Sequence, residues 1–240
     1  MKLKLIFSYD GSRFQGSATQ PHANTVQDTL LNALAHLGIF ERPLFASRTD
    51  KGVHSLGAVA SVRCGEHFDD LSLLKNQLNR FAHPHIHIKR IEKVSENFEV
   101  RFDAKMREYR YILHHGEFSP FLAPYFHFYP KIDIQKANEI LAHFIGTHDF
   151  KLFQKQNEPN KDTVRTVFKA KAYNYKNLTV FVFRANGFLR AQIRFTVAAT
   201  LKVLAKKLSQ SELLEQINAQ KAHIRTPAPP NGLYLTKILY

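Results

Sequence analysis

The sequence predicts an α+β protein built from two halves, each with the element order β-α-β-β-α-β. Short segments in which apolar and polar residues alternate indicate strands, and longer segments with an apolar residue every three or four positions indicate helices. These two kinds of segment follow one another in the same order twice along the chain. We therefore expect two ferredoxin-like halves with antiparallel sheets, residues 1–104 and residues 105–240, and a ligand site in the cleft between them.

The first half begins with a predicted strand over residues 2–9, in which every second residue is apolar or aromatic. Thr25 is placed to cap a helix over 26–37, and Gly38 follows as its stop signal. The remaining elements of this half are strands at 43–47 and 57–62, a helix at 71–80 and a strand at 85–91. Together they give the order β-α-β-β-α-β.

The second half begins with an alternating strand around Tyr109 and Tyr111. Ser209 and Glu212 have the spacing of a capping box at the start of a short helix. The predicted elements after the first strand are helix 133–145, strands 164–175 and 178–184, helices 187–207 and 210–219, and strand 233–239. Apart from the additional short helix over 210–219, this order matches that of the first half, although the two halves share no clear sequence repeat.

Composition narrows the class of protein. The chain has 240 residues, 44% of them hydrophobic, which is typical of a folded protein with a core. Its net charge of +14 favours a polyanionic partner such as nucleic acid, although a soluble basic enzyme is also compatible with it. A single cysteine, Cys64, excludes an internal disulfide framework, and no apolar run has the length of a membrane span or a signal peptide. We therefore expect a cytoplasmic protein.

The segment SRTDKGVHSLGAV, residues 47–59, is the most unusual in the chain. It places Arg48, Asp50, Lys51 and His54 on a predicted loop between two strands, and loops on a rigid sheet commonly carry function. Gly52 would let the chain turn sharply and present the Asp50 carboxylate. The alternative is a plain turn in which Arg48 and Lys51 are merely solvated.

Seven segments together resemble the TruA family, the tRNA pseudouridine synthases that act on the anticodon arm. RTDKGVHSLGAV resembles the family signature RTDxGVHAxGQV, and the other segments follow in the family's order at suitable spacing. They are FSYDGSRFQG at 7–16, TVQDTLLNAL at 25–34, FEVRFDAKMREYRYIL at 98–113, GTHDFKLF at 146–153, ANGFLRAQIR at 185–194 and APPNGLYLTKIL at 228–239. The resemblance runs nearly from one end of the sequence to the other.

The resemblance implies an isomerase that converts uridine to pseudouridine at tRNA positions 38, 39 and 40 without a cofactor or a metal. Asp50 matches the catalytic aspartate, which could attack C1′ or C6 or remove the 2′ proton. Tyr109 matches the active-site tyrosine. Arg194 matches the helix arginine that would pair with Asp50, and Arg190, predicted one turn earlier on the same helix face, is an alternative partner.

The resemblance also implies contacts with RNA. Arg48 matches the arginine that would enter the RNA and hold the space left by a flipped base. Lys51 and Arg13 are candidates for phosphate contacts, and His54 is a candidate to brace the loop by hydrogen bonding. Further candidates for phosphate contacts are Lys155, Lys161, Arg165, Lys206 and Lys207. The family binds tRNA as a homodimer, so a second copy of the chain is an expected partner.

The sequence departs from the family pattern at several positions. The family often has Y-x-G-W-Q after the first strand, whereas this chain has Phe14-Gln15-Gly16-Ser17-Ala18 and contains no tryptophan. Ser47, Lys51 and Ala58 replace the usual glycine, alanine and glutamine around the signature, and Glu99 stands where histidine is common. These departures bear on substrate range more than on the set Asp50, Tyr109 and Arg194.

Two other functions remain open from sequence. A non-catalytic tRNA-binding or tRNA-folding protein would keep the basic surface without the reaction, and the joint presence of Asp50, Tyr109 and Arg194 speaks against it. A nuclease would need clustered acidic residues for metal ions, and the signature loop offers one carboxylate. His83, His85 and His87 alternate along a predicted strand, but no carboxylate or cysteine follows at ligand spacing, so we interpret them as surface residues.

Overall fold

The computed structural model describes residues 1–21, 24–155 and 162–240. The chain divides into two compact units, residues 1–105 with 234–240, and residues 106–233. Each unit contains a sheet and helices that pack on it, so the predicted α+β class is confirmed. No helix among the described residues combines the length and apolar character needed to cross a membrane.

The sheet of the first unit has β1 at its centre between β4 and β3, and both neighbours run antiparallel to it. Two strands share the other edge of β3, because β2 pairs antiparallel with one end of it and β10 pairs parallel with the other. The bounds are β1 Lys2–Tyr9, β2 Leu44–Phe45, β3 His54–Arg63, β4 Ile86–Val94 and β10 Leu233–Leu239. Two helices, α1 Val26–Ala35 and α2 Leu71–Ala82, complete the unit.

Alternation along β1 explains the core of the first unit. Leu5 and Phe7 are fully buried on one face of the strand, and Leu30, Leu34 and Leu78 are fully buried on α1 and α2. Burial of side chains of this size contributes about 1.5–3 kcal/mol each, so this layer holds the sheet and helices together. The predicted strand over 2–9 and the predicted cap at Thr25 are both confirmed.

The sheet of the second unit is ordered β6-β5-β9-β8-β7. Its long hairpin, β8 and β9, turns at Lys176 and Asn177 as the sequence predicts, and Lys176 takes a left-handed conformation there with φ +52°. The strand bounds are β5 Met106–His114, β6 His127–Phe128, β7 Gly146–Asp149, β8 Val164–Tyr175 and β9 Leu178–Ala185. The helices are α3 Ile134–Ala142, α4 Gln192–Leu204 and α5 Gln210–Ile217.

Several features differ from the sequence-based expectation, and the first is that the sheets, expected to be antiparallel, contain the parallel pairs β3–β10 and β5–β6. The strands β6 and β7 are too short to show a periodicity and were not predicted. The helix expected over 187–207 begins only at Gln192, because Ala191 adopts a left-handed conformation with φ +61°. The closing strand was expected in the second domain, but residues 234–240 belong to the first unit, where Tyr234 and Leu235 pair with β3.

Candidate active site

The loop that carries the signature motif lies between β2 and β3 in the first unit. Its middle forms a turn, in which the Val53 N–H donates to the Asp50 carbonyl at 3.2 Å and Gly52 adopts φ +78°. A residue with a Cβ is strained in that left-handed conformation, so the glycine allows the turn. Asp50 is half-buried, whereas Arg48 and Lys51 on either side of it are exposed.

Thr49, the residue before Asp50, is held by three hydrogen bonds. Its backbone N–H donates to Ser17 Oγ at 2.7 Å, and its carbonyl accepts from the Ser17 N–H at 3.1 Å. Its side-chain Oγ1 shares a hydrogen bond of 2.7 Å with the Tyr9 hydroxyl. The main chain directly before the Asp50 carboxylate is therefore fixed from two sides.

His54 follows the loop as the first residue of β3 and is 2% exposed. Its Nδ1 accepts a hydrogen bond from the Gly11 N–H at 3.1 Å, so the neutral ring carries its proton on Nε2. Asp10 Oδ1 lies 3.3 Å from the same Nδ1, but that contact is an ion pair only when the ring is protonated. The ring also stacks on Tyr234 with centroids 4.7 Å apart. These contacts join the end of the loop to the Asp10-Gly11 segment.

Arg13 lies in a short 3-10 turn over Gly11–Arg13, close to that segment in the chain. Its side chain is exposed, and its Nε lies 3.8 Å from Asp10 Oδ2. An exposed pair at this distance contributes little to stability. The guanidinium is therefore held only loosely by Asp10.

Tyr109 lies on β5 in the second unit and is 7% exposed. Its ring meets the Phe188 ring edge-to-face with centroids 5.4 Å apart. The preceding residue, Glu108, points to the opposite face of the strand and is buried, with its Oε2 2.6 Å from Arg184 Nε. The ion pair on one face and the aromatic contact on the other fix β5 at Tyr109.

Tyr111, two residues further along β5, is fully buried and hydrogen-bonded. Its hydroxyl donates to the Pro229 carbonyl at 2.9 Å and lies 2.9 Å from His127 Nδ1. Burial raises the pKa of Tyr111 far above its ordinary value, so the phenol stays protonated at physiological pH. Burial likewise lowers the pKa of His127. Tyr111 is 0% exposed and therefore belongs to the core of the second unit.

The two candidate arginines, Arg190 and Arg194, lie on either side of the start of α4. Arg190 precedes the helix, so the expectation that it lies one turn before Arg194 on the same helix face is wrong. Its side chain is exposed, and its carbonyl accepts from the Lys155 N–H at 3.1 Å. The Ala191 N-cap makes no side-chain capping bond, and Gln192 Oε1 instead accepts from the N–H of Leu189, which precedes the helix, at 2.8 Å.

Arg194 lies in the first turn of α4 and is half-buried. Its Nε donates to the Ala228 carbonyl at 2.7 Å, and the Ala228 N–H donates back to the Arg194 carbonyl at 3.0 Å. A guanidinium has five N–H donors, and this bond uses the one on Nε. The arrangement orients the plane of the guanidinium, which is what bidentate recognition of a carboxylate requires.

The further candidates for phosphate contacts have different surroundings. Lys155, Lys206 and Lys207 are exposed, as a phosphate contact requires. Arg165 is half-buried, and its Nη1 lies 3.3 Å from Asp162 Oδ2, so it is partly neutralised. Lys161 lies outside the described residues. Among residues 1–21, 24–155 and 162–240, no group of three or more His, Cys, Asp or Glu has the arrangement of a metal site.

Sequence reasoning did not single out Tyr9, Ser17 or Thr49 as residues of the site. A signal for Ser17 was available, because a small polar residue stands there in place of the tryptophan that the family pattern has. Its partner could not be found in this way, because Ser17 and Thr49 are 32 residues apart in sequence. Only the folded arrangement shows that they bond to each other.

The comparisons with known proteins agree with the motifs. The profile of the tRNA pseudouridine synthase family matches residues 5–103 and 140–240. A protein from Campylobacter jejuni (serotype O:6, strain 81116) named tRNA pseudouridine synthase A is 60% identical over 240 residues, which are 100% of both chains. Proteins of the same name from Helicobacter hepaticus and Helicobacter pylori are 39% and 37% identical, and each alignment covers 99% of this chain and 98% of the relative.

A solved structure, of a Cbf5-Nop10-Gar1 complex, includes a chain that aligns with 81% of this one and 44% of its own length. The identity is 10% and the TM-score is 0.37, which is too low to support any argument.

Proposed function

The chain belongs to the tRNA pseudouridine synthase family, and on that premise we propose that it isomerises uridine in the anticodon arm of tRNA, at positions 38, 39 and 40. In this reaction the N1–C1′ glycosidic bond breaks, the uracil rotates, and a C5–C1′ bond forms. Substrate and product have the same atoms and oxidation state, so the enzyme supplies acid–base or nucleophilic chemistry and positioning. The whole of the chain aligns with the whole of its 60% identical relative, which supports the assignment of the full activity.

The observation that carries the catalytic proposal is the loop around Asp50. A half-buried carboxylate is presented at a turn whose preceding residue is fixed by hydrogen bonds to Ser17 and Tyr9. A carboxylate held in this way can attack C1′ or C6 of the uridine or remove the 2′ proton. All three routes begin with an ionised Asp50.

We assign Arg194 and Tyr109 to the same reaction. An arginine next to a carboxylate favours its charged form, and the oriented guanidinium of Arg194 is suited to that role towards Asp50. The Tyr109 ring could stack on the target base, and its hydroxyl could take part in removing the proton from C5. Its contact with Phe188 supports this role by limiting the positions that the ring can take.

The exposed basic residues are assigned to tRNA. A paired uridine must leave the stack before it can react, which costs a few kcal/mol. The exposed side chain of Arg48 is suited to hold the space that the base leaves, and Lys51, Arg13 and Arg190 are suited to phosphate contacts. His54 braces the loop from inside the unit through its bond with Gly11.

The proposal extends to the partner and the compartment. By analogy with its family, two copies of the chain would form the surface that binds one tRNA. The net charge of +14 supports the binding of a polyanion, because each phosphate contact releases counterions. The cytoplasm, where tRNA is found, is the proposed compartment.

An Asp50→Asn substitution tests the function. It removes the charge and keeps the size of the side chain, so we expect pseudouridine formation to be lost while the affinity for tRNA stays within about a few-fold of wild type. Turnover is measured as tritium release from tRNA labelled at C5 of uridine, and affinity by filter binding. Asp69→Asn, the same charge change at an exposed residue of the same unit, is the matched control.

Wild-type turnover by the Asp50→Asn variant would overturn the catalytic assignment. If the unmodified protein itself bound tRNA without releasing tritium, the alternative of a non-catalytic tRNA-binding protein would replace the proposal. Loss of wild-type activity in EDTA would favour metal-dependent chemistry instead.

A further inference from the structure

Ser17 and Tyr9 both form hydrogen bonds with Thr49, the residue that precedes the proposed catalytic Asp50. We infer that both are positioning residues, which fix the main chain of Thr49 and thereby the direction in which Asp50 leaves the loop. This inference rests on the proposed function of Asp50. It assigns a role to two residues that are not themselves expected to touch the substrate.

Ser17 binds Thr49 through its hydroxyl and its backbone N–H. Its Oγ accepts from the Thr49 N–H at 2.7 Å, and its N–H donates to the Thr49 carbonyl at 3.1 Å. The residue is 0% exposed, so water does not compete for these bonds. A pair of bonds to the N–H and C=O of one residue restrains both peptide planes around it, including the plane that leads to Asp50.

The segment that carries Ser17 is itself anchored to a helix. The Gly16 carbonyl accepts from the Val26 N–H at 3.2 Å, and the Ser17 carbonyl accepts from the Gln27 N–H at 3.0 Å. Gly16 has φ +115°, and a Cβ there would lie 3.1 Å from the Thr49 carbonyl oxygen. The first turn of α1 therefore supports Ser17, and the backbone of the segment lies directly against the loop.

Tyr9 contributes a contact from the sheet. It is the last residue of β1 and is 6% exposed, with its ring edge-to-face against Phe14 at 6.4 Å between centroids. Its hydroxyl meets Thr49 Oγ1 at 2.7 Å. Thr49 is thus tied to β1 through its side chain and to the α1 side through its backbone.

The expected effect is on the chemical step. A displacement of about 1 Å at a reacting group can reduce a rate by about 100-fold even when the altered residue is remote from the substrate. Loss of the bond to Thr49 from the Ser17 hydroxyl or from the Tyr9 hydroxyl would let the loop relax and move the Asp50 carboxylate. The affinity for tRNA would remain, because exposed basic residues supply the contacts with phosphate.

The first test compares Ser17→Ala and Tyr9→Phe with wild type by tritium release. We expect kcat to fall about 10- to 100-fold in each variant, with KM for tRNA within about 3-fold of wild type. Ser55→Ala is the matched control, because Ser55 is also a buried serine of the same unit whose Oγ accepts a backbone N–H, that of Gly57 at 3.2 Å. Melting temperatures of all variants show whether stability is affected equally.

The second test isolates the contact between Tyr9 and Thr49. Thr49→Val removes Oγ1 and keeps the shape of the side chain, so Tyr9→Phe and Thr49→Val delete the same hydrogen bond. We expect the double variant to lose no more in kcat than the more impaired of the two single variants. Multiplied losses would show that Tyr9 does not act through Thr49.

Asp50→Asn is measured in parallel, so that the two proposals can fail separately. If Asp50→Asn is inactive while Ser17→Ala and Tyr9→Phe both keep wild-type kcat, the positioning inference is wrong and the proposed function stands. An equal fall of kcat in Ser55→Ala would also overturn the inference, because it would make the effect one of general stability. If Asp50→Asn is fully active, the proposed function fails first.

Discussion

Arg48 and Asp50 are separated by one residue and have different surroundings. Arg48 is exposed and Asp50 is half-buried, and Thr49 between them is fixed by Ser17 and Tyr9. The backbone bonds of Thr49 therefore fix the main chain between an exposed residue and a half-buried one. In the structure, this three-residue motif consists of an exposed cation and a half-buried carboxylate on either side of Thr49, whose main chain is fixed by hydrogen bonds.

The exposure of Arg48 leads to a prediction about salt. We expect Arg48→Ala to weaken tRNA binding and to make the slope of log K against log [salt] shallower by about one unit, because one phosphate contact is lost. The measurement is a salt titration of the tRNA dissociation constant. Arg63→Ala is the control, because it removes an equal charge from an exposed residue of the same unit that lies outside the signature loop and pairs with Glu96. An unchanged slope in the Arg48 variant would argue against a phosphate contact.

The sequence singled out the proposed catalytic residues better than the residues that contact and orient them. Asp50, Tyr109 and Arg194 stood out because their motifs match a family pattern, which carries chemical information. Ser17 and Tyr9 form hydrogen bonds with Thr49 across 32 and 40 residues of chain, and no local pattern encodes such a pairing. The orientation of Arg194 by the Ala228 carbonyl was missed for the same reason.

At the scale of elements, the first turn of α1 links the stability of this helix to the position of Ser17 and hence to the loop that carries Asp50. Thr25 and Asp28 form a capping box, in which the Asp28 N–H donates to Thr25 Oγ1 at 3.2 Å and the Thr25 N–H donates to Asp28 Oδ2 at 3.2 Å. Burial alone would raise the pKa of Asp28, but the hydrogen bonds from Thr25 and Thr19 outweigh it and lower that pKa. The stabilising effect of Asp28 is therefore present above its ordinary pKa of about 4 and fades as the pH falls through the lowered value.

A substitution at this cap tests the connection. We expect Thr25→Ala to reduce the free energy of unfolding by about 1 kcal/mol, because the Asp28 N–H loses its acceptor, Thr25 Oγ1. Ser209→Ala is matched to it, because Ser209 and Glu212 form the same kind of box on α5. Urea titrations should give similar losses for both, whereas tritium release should fall only for Thr25→Ala, whose helix supports Ser17. Equal activity of the two variants would contradict this link.

Periodicity predicted the long elements more accurately than the short ones. The strand β1 and the helix α1 were found near their observed bounds, because each presents a continuous apolar face. The start of α4 was misplaced by five residues, because the left-handed backbone at Ala191 is a feature of conformation rather than of composition. The strands β6 and β7 have two and four residues, which are too few to define a period.

At the scale of the whole molecule, the fold class follows from element order but the partners of the last strand do not. The expected order β-α-β-β-α-β describes the first unit through β4. Chain order then places β10 with the second half, whereas the structure pairs its Tyr234 and Leu235 with His54 and Ser55. Strand pairing between residues about 180 apart depends on tertiary contacts that periodicity does not contain.

This pairing predicts the effect of a deletion. Removal of residues 234–240 would leave the Lys105 N–H without its partner, the Leu239 carbonyl at 2.8 Å, and would take the buried side chains Leu235 and Ile238 from the core. We expect faster hydrogen exchange of the β1 and β3 amides and loss of cooperative unfolding of the first unit. Tyr240→Phe removes the hydrogen bond to the Val100 carbonyl at 2.8 Å and should leave the unit folded.

If the β3 amides still exchange slowly in the truncated chain, the first unit does not need β10. Residues 1–105 would then fold without residues 234–240. The Tyr240→Phe variant separates the effect of losing the whole strand from the effect of losing the Tyr240 hydrogen bond. It is expected to cost about 1 kcal/mol, the usual net contribution of one hydrogen bond.

The position of β10 also has a consequence for biosynthesis. The ribosome makes residues 234–240 only after residues 106–233, so the nascent first unit exists for a time with one edge of β3 lacking a neighbour at His54 and Ser55. An open strand edge is a template for pairing with other chains, and the interval grows when translation slows. Chaperone dependence of newly made protein should therefore respond to the speed at which the codons for 106–233 are read.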